Sequence, residues 1–596
     1  MSIRLPTDNP NIACHLGRMA RSQPLTPALK IPRGRTLTGD IDYLTLTFAG
    51  LAAEVDAWHA HLAARGVRRG DRVLVMVRQG LPLLAAAFAL FQLGAVPVLI
   101  DPGMGRASFL ACVARTRPRV LLGILPAWII SQFFRPTFRS VEVRVLVSRR
   151  PTARLAAPAT TGASGPVNAV VSAPDDLAAI LFTSGSTGAP KGVCYTHGMF
   201  DAQVRLVREA YGILPGEIDL PLLPLFALFN PALGLTTIVP EFDPRHPARL
   251  DPARIVQAIR QENVTNSFGS PTLWRILALH CQRERLQLPT LRRVLCAGAP
   301  VPPDLWALMA GILPNGELHS PYGATEVLPV STISGPDVTA KVTATTLAGG
   351  GTCVGRVLPA NRVKIIALTD GPLATLAAAR ELPPGEIGEI IVSGPSVTRE
   401  YDGLPAATAA AKIAALNIQP STSNAQLSPQ PSVALNVECS MLEVGRSSGS
   451  ASSPWHRMGD CGYLDASGYL WFCGRKAELV RTPAGPLFTG QVEPFFNTCA
   501  GVRRSALIGL GAAGRQQAAM VIEPDEPGLI KDSDACRHFA RALRAAAAGH
   551  PYAGRMEIFY FHPAFPVDVR HNAKIHRLAL ARWAAGSKGY RSNPKR

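Results

Sequence analysis

One stretch limits what this chain can become more than any other: Leu177 to His197, LAAILFTSGSTGAPKGVCYTH. Six apolar residues, Leu177 to Phe182, run into Thr183, Ser184, Gly185, Ser186, Thr187 and Gly188, followed by Pro190, Lys191 and Gly192. Such a pattern predicts a buried strand feeding a flexible turn in which bare glycine backbone lets N–H groups converge on an anion. The hydroxyls of Ser184, Ser186 and Thr187 add donors, and Lys191 adds positive charge, the equipment a triphosphate needs. The common P-loop is excluded because it ends in Gly-Lys-Ser/Thr, whereas Lys191 follows a proline and precedes Gly192. A glycine/serine linker is the competing reading, and a linker would not sit directly behind an apolar run.

With 596 residues and 47% hydrophobic content, the chain is too long for a single core and should divide into domains. Lys+Arg 61 against Asp+Glu 42 leaves +19, which fits nucleic acid, an anionic membrane or anionic substrates. The excess is spread out and no nucleic-acid module is present, so no nucleic-acid partner is expected. Eleven cysteines are scattered without Cys-x-x-Cys or zinc spacing. With no cleavable leader at Met1-Ser-Ile-Arg-Leu-Pro, reduced thiols in a cytoplasmic protein are expected. Leu81 to Ile100 approaches the length of a membrane span, but Gln92, Gly94 and Pro97 argue instead for a buried helix to about Leu93 and a strand from Ala95.

The amino-terminal part alternates helical and strand patterns. Leu51, Val55, Trp58 and Leu62 fall at helical spacing, Arg72 to Val77 reads as a strand, Arg106 to Ala114 as a helix and Val120 to Ile124 as a strand. Alternation of this kind predicts a layered α/β domain with largely parallel strands and crossover helices. Further on, Phe200 to Ala210 and Ile255 to Arg260 read as helices, and Thr265 to Phe268 and Leu291 to Leu295 as strands. The last of these runs into Ala297-Gly298-Ala299-Pro300, small residues against which a flat base could lie, or an ordinary strand-to-helix turn. From Asp402 to Pro454 the composition turns to Ala, then Pro, Ser, Asn and Gln, and predicts a disordered insertion. The expected division is an α/β domain over 1–474 with that insertion, a small α+β domain over 475–585, and a basic tail over 586–596.

TSGSTGAPKGV resembles the phosphate loop of the acyl-adenylate-forming superfamily, and further motifs follow in that family's order. Tyr322-Gly323-Ala324-Thr325-Glu326 resembles a segment whose aromatic residue stacks on adenine, whose threonine contacts phosphate and whose glutamate holds Mg²⁺. His456-Arg457-Met458-Gly459-Asp460 is similar to the family's Tyr-Arg-Thr-Gly-Asp, which implies that Asp460 accepts from both ribose hydroxyls. Gly474-Arg475-Lys476 matches the hinge before a mobile smaller domain, with Arg475 expected near ribose and phosphate. Pro566 and Lys574 in PVDVRHNAKIHR parallel a carboxyl-terminal motif whose lysine contacts the carboxylate and α-phosphate. The resemblance implies ATP and Mg²⁺ as cofactors, with Lys574, Lys191, Thr187 and Glu326 catalytic, and Glu326 and Thr187 at the metal. It implies nucleotide contacts from Thr183 to Gly188, Gly298 to Pro300, and Tyr322, Gly323, Thr325, Asp460 and Arg475.

Common acyl-CoA ligases of the superfamily carry histidine where this chain has Ala227 in Leu223-Pro224-Leu225-Phe226-Ala227-Leu228-Phe229-Asn230. Their Gly-Gly-Glu-Asn-like loop is replaced by Pro483-Ala484-Gly485-Pro486, and Gly-Lys by Ala573-Lys574. From about residue 10 to 585, excepting the 402–454 insertion, the chain more closely resembles the β-lactone synthetase branch of bacterial long-chain olefin biosynthesis. That branch activates a 2-alkyl-3-hydroxy fatty acid as acyl-AMP and closes a lactone with the acid's own hydroxyl, releasing AMP and pyrophosphate. Phe226, Ala227 and Phe229 would then line the acyl pocket, with ordinary core as the alternative. The resemblance implies a thiolase-like enzyme, a reductase and a lactone decarboxylase as partners, and a greasy substrate leaves peripheral membrane contact open. A long-chain acyl-CoA ligase is the other reading.

Overall fold

The computed structural model describes residues 9–78, 80–101, 104–147, 169–183, 189–223, 227–243, 249–414, 453–567 and 575–591. A six-stranded sheet runs Val143–Leu146, Val120–Gly123, Arg72–Met76, Val96–Leu99, Leu177–Thr183, Lys191–Thr196. Neighbours are parallel except for the last pair, an antiparallel hairpin. Right-handed crossovers need a covering layer, and the helices Leu81–Leu93 and Phe48–Ala64 supply it. The first carries no charged residue, and ten of its thirteen residues are buried. The expected buried helix to Leu93, followed by the strand Val96–Leu99, is therefore what the structure contains. No helix among the described residues is long and apolar enough to cross a membrane.

A larger mixed sheet carries the parallel strands Asn266–Gly269, Arg293–Cys296 and Glu317–Ala324. Val327–Ser334, Thr352–Val357, Tyr469–Arg475, Trp455–Leu464, Gly388–Ser393 and Arg362–Ile366 continue it in antiparallel fashion. An amino-terminal hairpin, Pro27–Arg35 with Ile41–Thr47, closes its far edge. Past Arg475, a four-stranded sheet of Val502–Leu510, Gln517–Pro524, Ile558–Phe561 and Tyr590–Arg591 packs with the helices Thr489–Phe496 and Ser533–Ala546 around its own core. The fold is thus the expected layered α/β arrangement with a smaller α+β unit behind it.

One boundary is corrected. Residues from Asp402 were expected to be disordered, yet Pro405–Ala411 is a helix and Lys412–Ile413 pairs with Trp455 and His456. Alanine is the best helix former, and burial of Ala411 and Ile413 anchors the run on the sheet. Residues 415–452 lie outside the described residues, as do the expected loop residues Ser184 to Gly188, Phe226 and Lys574.

Candidate active site

The Leu177–Thr183/Lys191–Thr196 hairpin brings both ends of the glycine-rich turn together, with Thr183 opposite Lys191 and Phe182 opposite Gly192. A Cβ on Gly192 would sit 2.8 Å from the Phe182 ring, so only glycine lets the strands close here. The Arg115 guanidinium donates to the Pro190 carbonyl at 2.7 Å, pinning the return strand. Lys191 Nζ lies 4.7 Å from the centre of the Tyr401 ring, a cation–π contact that aims the ammonium.

Tyr401 reaches across to the second expected motif. Its hydroxyl donates to Glu326 Oε1 at 2.7 Å, and the Thr398 N–H donates to the Glu326 carbonyl at 2.9 Å. Glu326 occupies the turn between Glu317–Ala324 and Val327–Ser334, beside Thr325, whose carbonyl accepts from the Tyr195 hydroxyl. Thr325, Gly323 and Glu326 are all half-buried. Lys412 Nζ donates to Thr398 Oγ1 at 3.0 Å. Burial pushes its pKa down to about 7, with Glu326 opposing that shift and Lys191 adding to it. Lys191, Tyr401, Glu326, Thr398 and Lys412 therefore form one charged cluster at the mouth of the turn.

The third expected group assembles on the larger sheet, with Asp460 opposite Arg475 on neighbouring strands and Tyr322 reaching in from Glu317–Ala324 further along it. Tyr322 donates its hydroxyl to Asp460 Oδ2 at 2.6 Å, and Arg475 pairs with Asp460 Oδ1 at 2.9 Å. Burial and the adjacent carboxylate hold the Tyr322 hydroxyl well above the ordinary tyrosine range, so it remains a donor at neutral pH. The Asp460 charge raises Arg475 further. Gly474, at φ 141°, packs against Thr489, whose Oγ1 would lie 2.4 Å from an added Cβ. Arg457 plays another part: with Lys476 it neutralises the buried Glu389, at 2.6 and 3.0 Å. Gly298, in the left-handed region at φ 98°, Ala299 and Pro300 form the link from Arg293–Cys296 to the helix Pro303–Ile312.

Of the expected acyl-pocket residues, Ala227 and Phe229 are half-buried. Phe229 packs edge-on to Phe200 at 6.1 Å, and Phe200 stacks on Tyr195 at 4.9 Å. Since Tyr195 holds the Thr325 carbonyl, this aromatic column links the Ala227 segment to the Tyr322–Glu326 motif. Asn230 fixes the other end of that segment, donating to Asp219 Oδ2 at 2.8 Å and Thr237 Oγ1 at 2.9 Å.

A divalent cation would fit only with help. Among the described residues no group of three or more His, Cys, Asp or Glu side chains could hold a metal. Glu326 offers a single carboxylate, so a hard cation here would need phosphate oxygens and waters to complete its shell, the habit of Mg²⁺.

The hairpin that flanks the glycine-rich turn belongs to the six-stranded sheet, the Tyr–Asp–Arg cluster and Glu326 to the larger one, and residues 19–402 match the AMP-binding enzyme family. The chain belongs to the AMP-binding enzyme family. It is accordingly an AMP-forming ligase. It is 45% identical to the olefin β-lactone synthetase of Stenotrophomonas maltophilia over 96% of this chain and 98% of that protein. Identity to the olefin β-lactone synthetase of Xanthomonas campestris is 43%, over 96% of this chain and 97% of that one. Among solved structures, the amide bond synthetase McbA of Marinactinospora thermotolerans superposes with a TM-score of 0.71, covering 96% of this chain and 99% of its own, at 21% identity. That likeness confirms the fold.

Sequence reading missed Tyr401, Lys412, Tyr195 and Asn230. Tyr401 and Lys412 lay within or beside a stretch read as the start of an insertion, and only the return of that segment onto Lys191–Thr196 brings them to Glu326.

Proposed function

We propose that this AMP-forming ligase activates a long-chain 2-alkyl-3-hydroxy fatty acid and closes it to a β-lactone. The observation that carries the reading is 45% identity to an olefin β-lactone synthetase across nearly the whole of both chains. In the first step a substrate carboxylate oxygen bonds to the α-phosphorus of ATP and pyrophosphate leaves. In the second the 3-hydroxyl oxygen bonds to the acyl carbonyl carbon, AMP leaves, and the hydroxyl proton is lost.

The protein's part is to orient and to balance charge. Asp460, with Tyr322 and Arg475, would seat the nucleoside. Lys191 and Lys412 would face the polyphosphate, and Lys574 the reacting carboxylate and α-phosphate. Glu326, held by Tyr401, would carry Mg²⁺, which supplies neutralisation of the phosphate charge. The small domain beyond Gly474 is assigned the mobility of the family's hinge. Ala227, where the acyl-CoA ligases of the family carry histidine, favours an internal nucleophile over CoA. The internal hydroxyl has a high effective molarity, and acyl activation drives closure of the strained ring.

Incubation of the purified protein with ATP, Mg²⁺ and a long-chain 2-alkyl-3-hydroxy acid should give AMP, pyrophosphate and a product lighter than the acid by one water, read by mass spectrometry. AMP release without lactone, together with acyl-CoA when CoA is added, would overturn the reading in favour of a CoA ligase.

A further inference from the structure

The helix Leu125–Phe133 is built inside out. Its small residues Ala127 and Ser131 face the core at 2% and 0% exposure, while Leu125, Trp128, Ile129 and Phe133 stand out at 55%, 41%, 42% and 81%. These four recur at helical spacing and share one face. Leu146, on the adjoining edge strand Val143–Leu146, extends the patch at 53% exposure. Of the twelve exposed large hydrophobic residues among those described, six fall between Leu125 and Leu146. Apolar surface is thus gathered here, and gathered apolar surface marks a contact.

The charges around it are predominantly positive. Between Leu125 and Leu146 the sequence holds Arg135, Arg139 and Arg144 against a single acid, Glu142. Arg119 takes that carboxylate at 2.8 Å. Arg135 and Arg139 are exposed, and neither makes an ion pair among the described residues. Arg144 donates to the Val141 carbonyl at 3.2 Å and pairs with no acid among the described residues.

We propose that this face docks the protein on an anionic lipid bilayer. A projecting helix with tryptophan, isoleucine and phenylalanine outward and free arginines beside it suits the boundary between acyl chains and headgroups. The net charge of +19 adds long-range attraction to the same surface. A second copy of the chain fits less well, because a two-fold contact through this face would oppose its own arginines. The helix connects the two strands at one edge of the six-stranded sheet, and Lys191–Thr196 forms the other. Docking would therefore leave the candidate active site open to solvent. The proposal stands apart from the identity of the acid.

Sedimentation of the full chain with vesicles tests it, using phosphatidylcholine mixed with phosphatidylglycerol and, in parallel, phosphatidylcholine alone. Binding to the anionic vesicles is expected, weakened by salt and by neutral lipid. The pair Trp128→Ser and Phe133→Ser should lower partitioning by about tenfold or more, as apolar insertion is lost. The pair Arg135→Gln and Arg139→Gln should lower it similarly, at roughly fivefold for each charge. Both variants should melt with the wild type, since the altered side chains are exposed. No wild-type binding, equal binding to neutral vesicles, or variants that bind as the wild type would overturn the proposal. So would a concentration-dependent dimer that the Trp128 and Phe133 substitutions abolish, which would give the face to a second copy.

Discussion

The Tyr322 hydroxyl donates to Asp460 Oδ2 at 2.6 Å while Arg475 holds the other oxygen at 2.9 Å, although 138 residues separate the tyrosine from the aspartate. Two strands of one sheet, Glu317–Ala324 and Trp455–Leu464, with three others between them in the sheet order, thus join the expected adenine platform to the expected ribose acceptor. On the adenylation reading, ring and hydroxyl do separable work. Tyr322→Phe keeps the ring and should raise the KM for ATP about fivefold, the worth of one hydrogen bond. Tyr322→Ala also removes the stacking face and should raise it tenfold to a hundredfold, at roughly 1–3 kcal/mol per stacked base. ATP–pyrophosphate exchange at varied ATP measures both, and equal effects from the two variants would contradict the division.

Tyr401 has two partners, Glu326 through its hydroxyl and Lys191 through its ring. Tyr401→Phe separates them: the ring stays beneath Lys191, and the carboxylate loses a charge-assisted donor worth about 1.5–3 kcal/mol. The expected outcome is a shift of the Mg²⁺ dependence of adenylation to higher concentration, with the KM for the acid little changed. Titration of exchange activity against Mg²⁺ reads this directly. An unchanged Mg²⁺ profile would show that the hydroxyl does not set the Glu326 carboxylate.

How much of this was legible in the sequence depended on whether a contact was local or assembled. The strand entering the glycine-rich turn and the helix Leu81–Leu93 were readable because apolar runs, glycines and prolines act over a few residues. Tyr322, Glu326, Asp460 and Arg475 were readable from their motifs, yet nothing in the motifs said that three of them form a Tyr–Asp–Arg cluster. Tyr401 and Lys412 were hidden because an alanine-rich run leading into Ser, Pro and Gln has the composition of disorder. Their position is decided by a pairing of Tyr401 with Val193, which periodicity cannot express. The amino-terminal hairpin Pro27–Thr47 escaped for the same reason, its register resting on a partner strand at Thr236–Ile238.

Asp219 predicts a pH effect on stability. It is buried on the Ile218–Asp219 strand with Asn230 as its donor, and burial pushes its pKa up to about 7 from 3.8. Between those values the folded protein keeps a proton that the unfolded chain has released, so this group's contribution falls as pH rises towards 7. Asp219→Asn cannot titrate and keeps an oxygen to accept from Asn230. The variant should therefore melt above the wild type near pH ~8 and draw level near pH ~4. Melting curves across that range check it, and a constant difference would place the titration elsewhere.

Lys412 should show the opposite sign, and with it a conflict between stability and activity. Its pKa is pushed down to about 7 from 10.5 by burial, so below 7 the folded state carries a charge that costs solvation. As pH rises through that window the folded lysine loses its proton before the unfolded one does, and wild-type stability gains. Lys412→Met removes the penalty: its advantage in melting temperature should be greatest near pH ~6 and fade by pH ~10. On the adenylation reading, the same substitution removes a cation from the cluster that faces the polyphosphate. Exchange activity at neutral pH should then fall about tenfold or more, as expected for loss of a charge-stabilising group. A variant that is both more stable in acid and less active would separate the cost of burying this ammonium from its use. If Lys412→Met kept full exchange activity, the lysine would be serving the Thr398 contact alone.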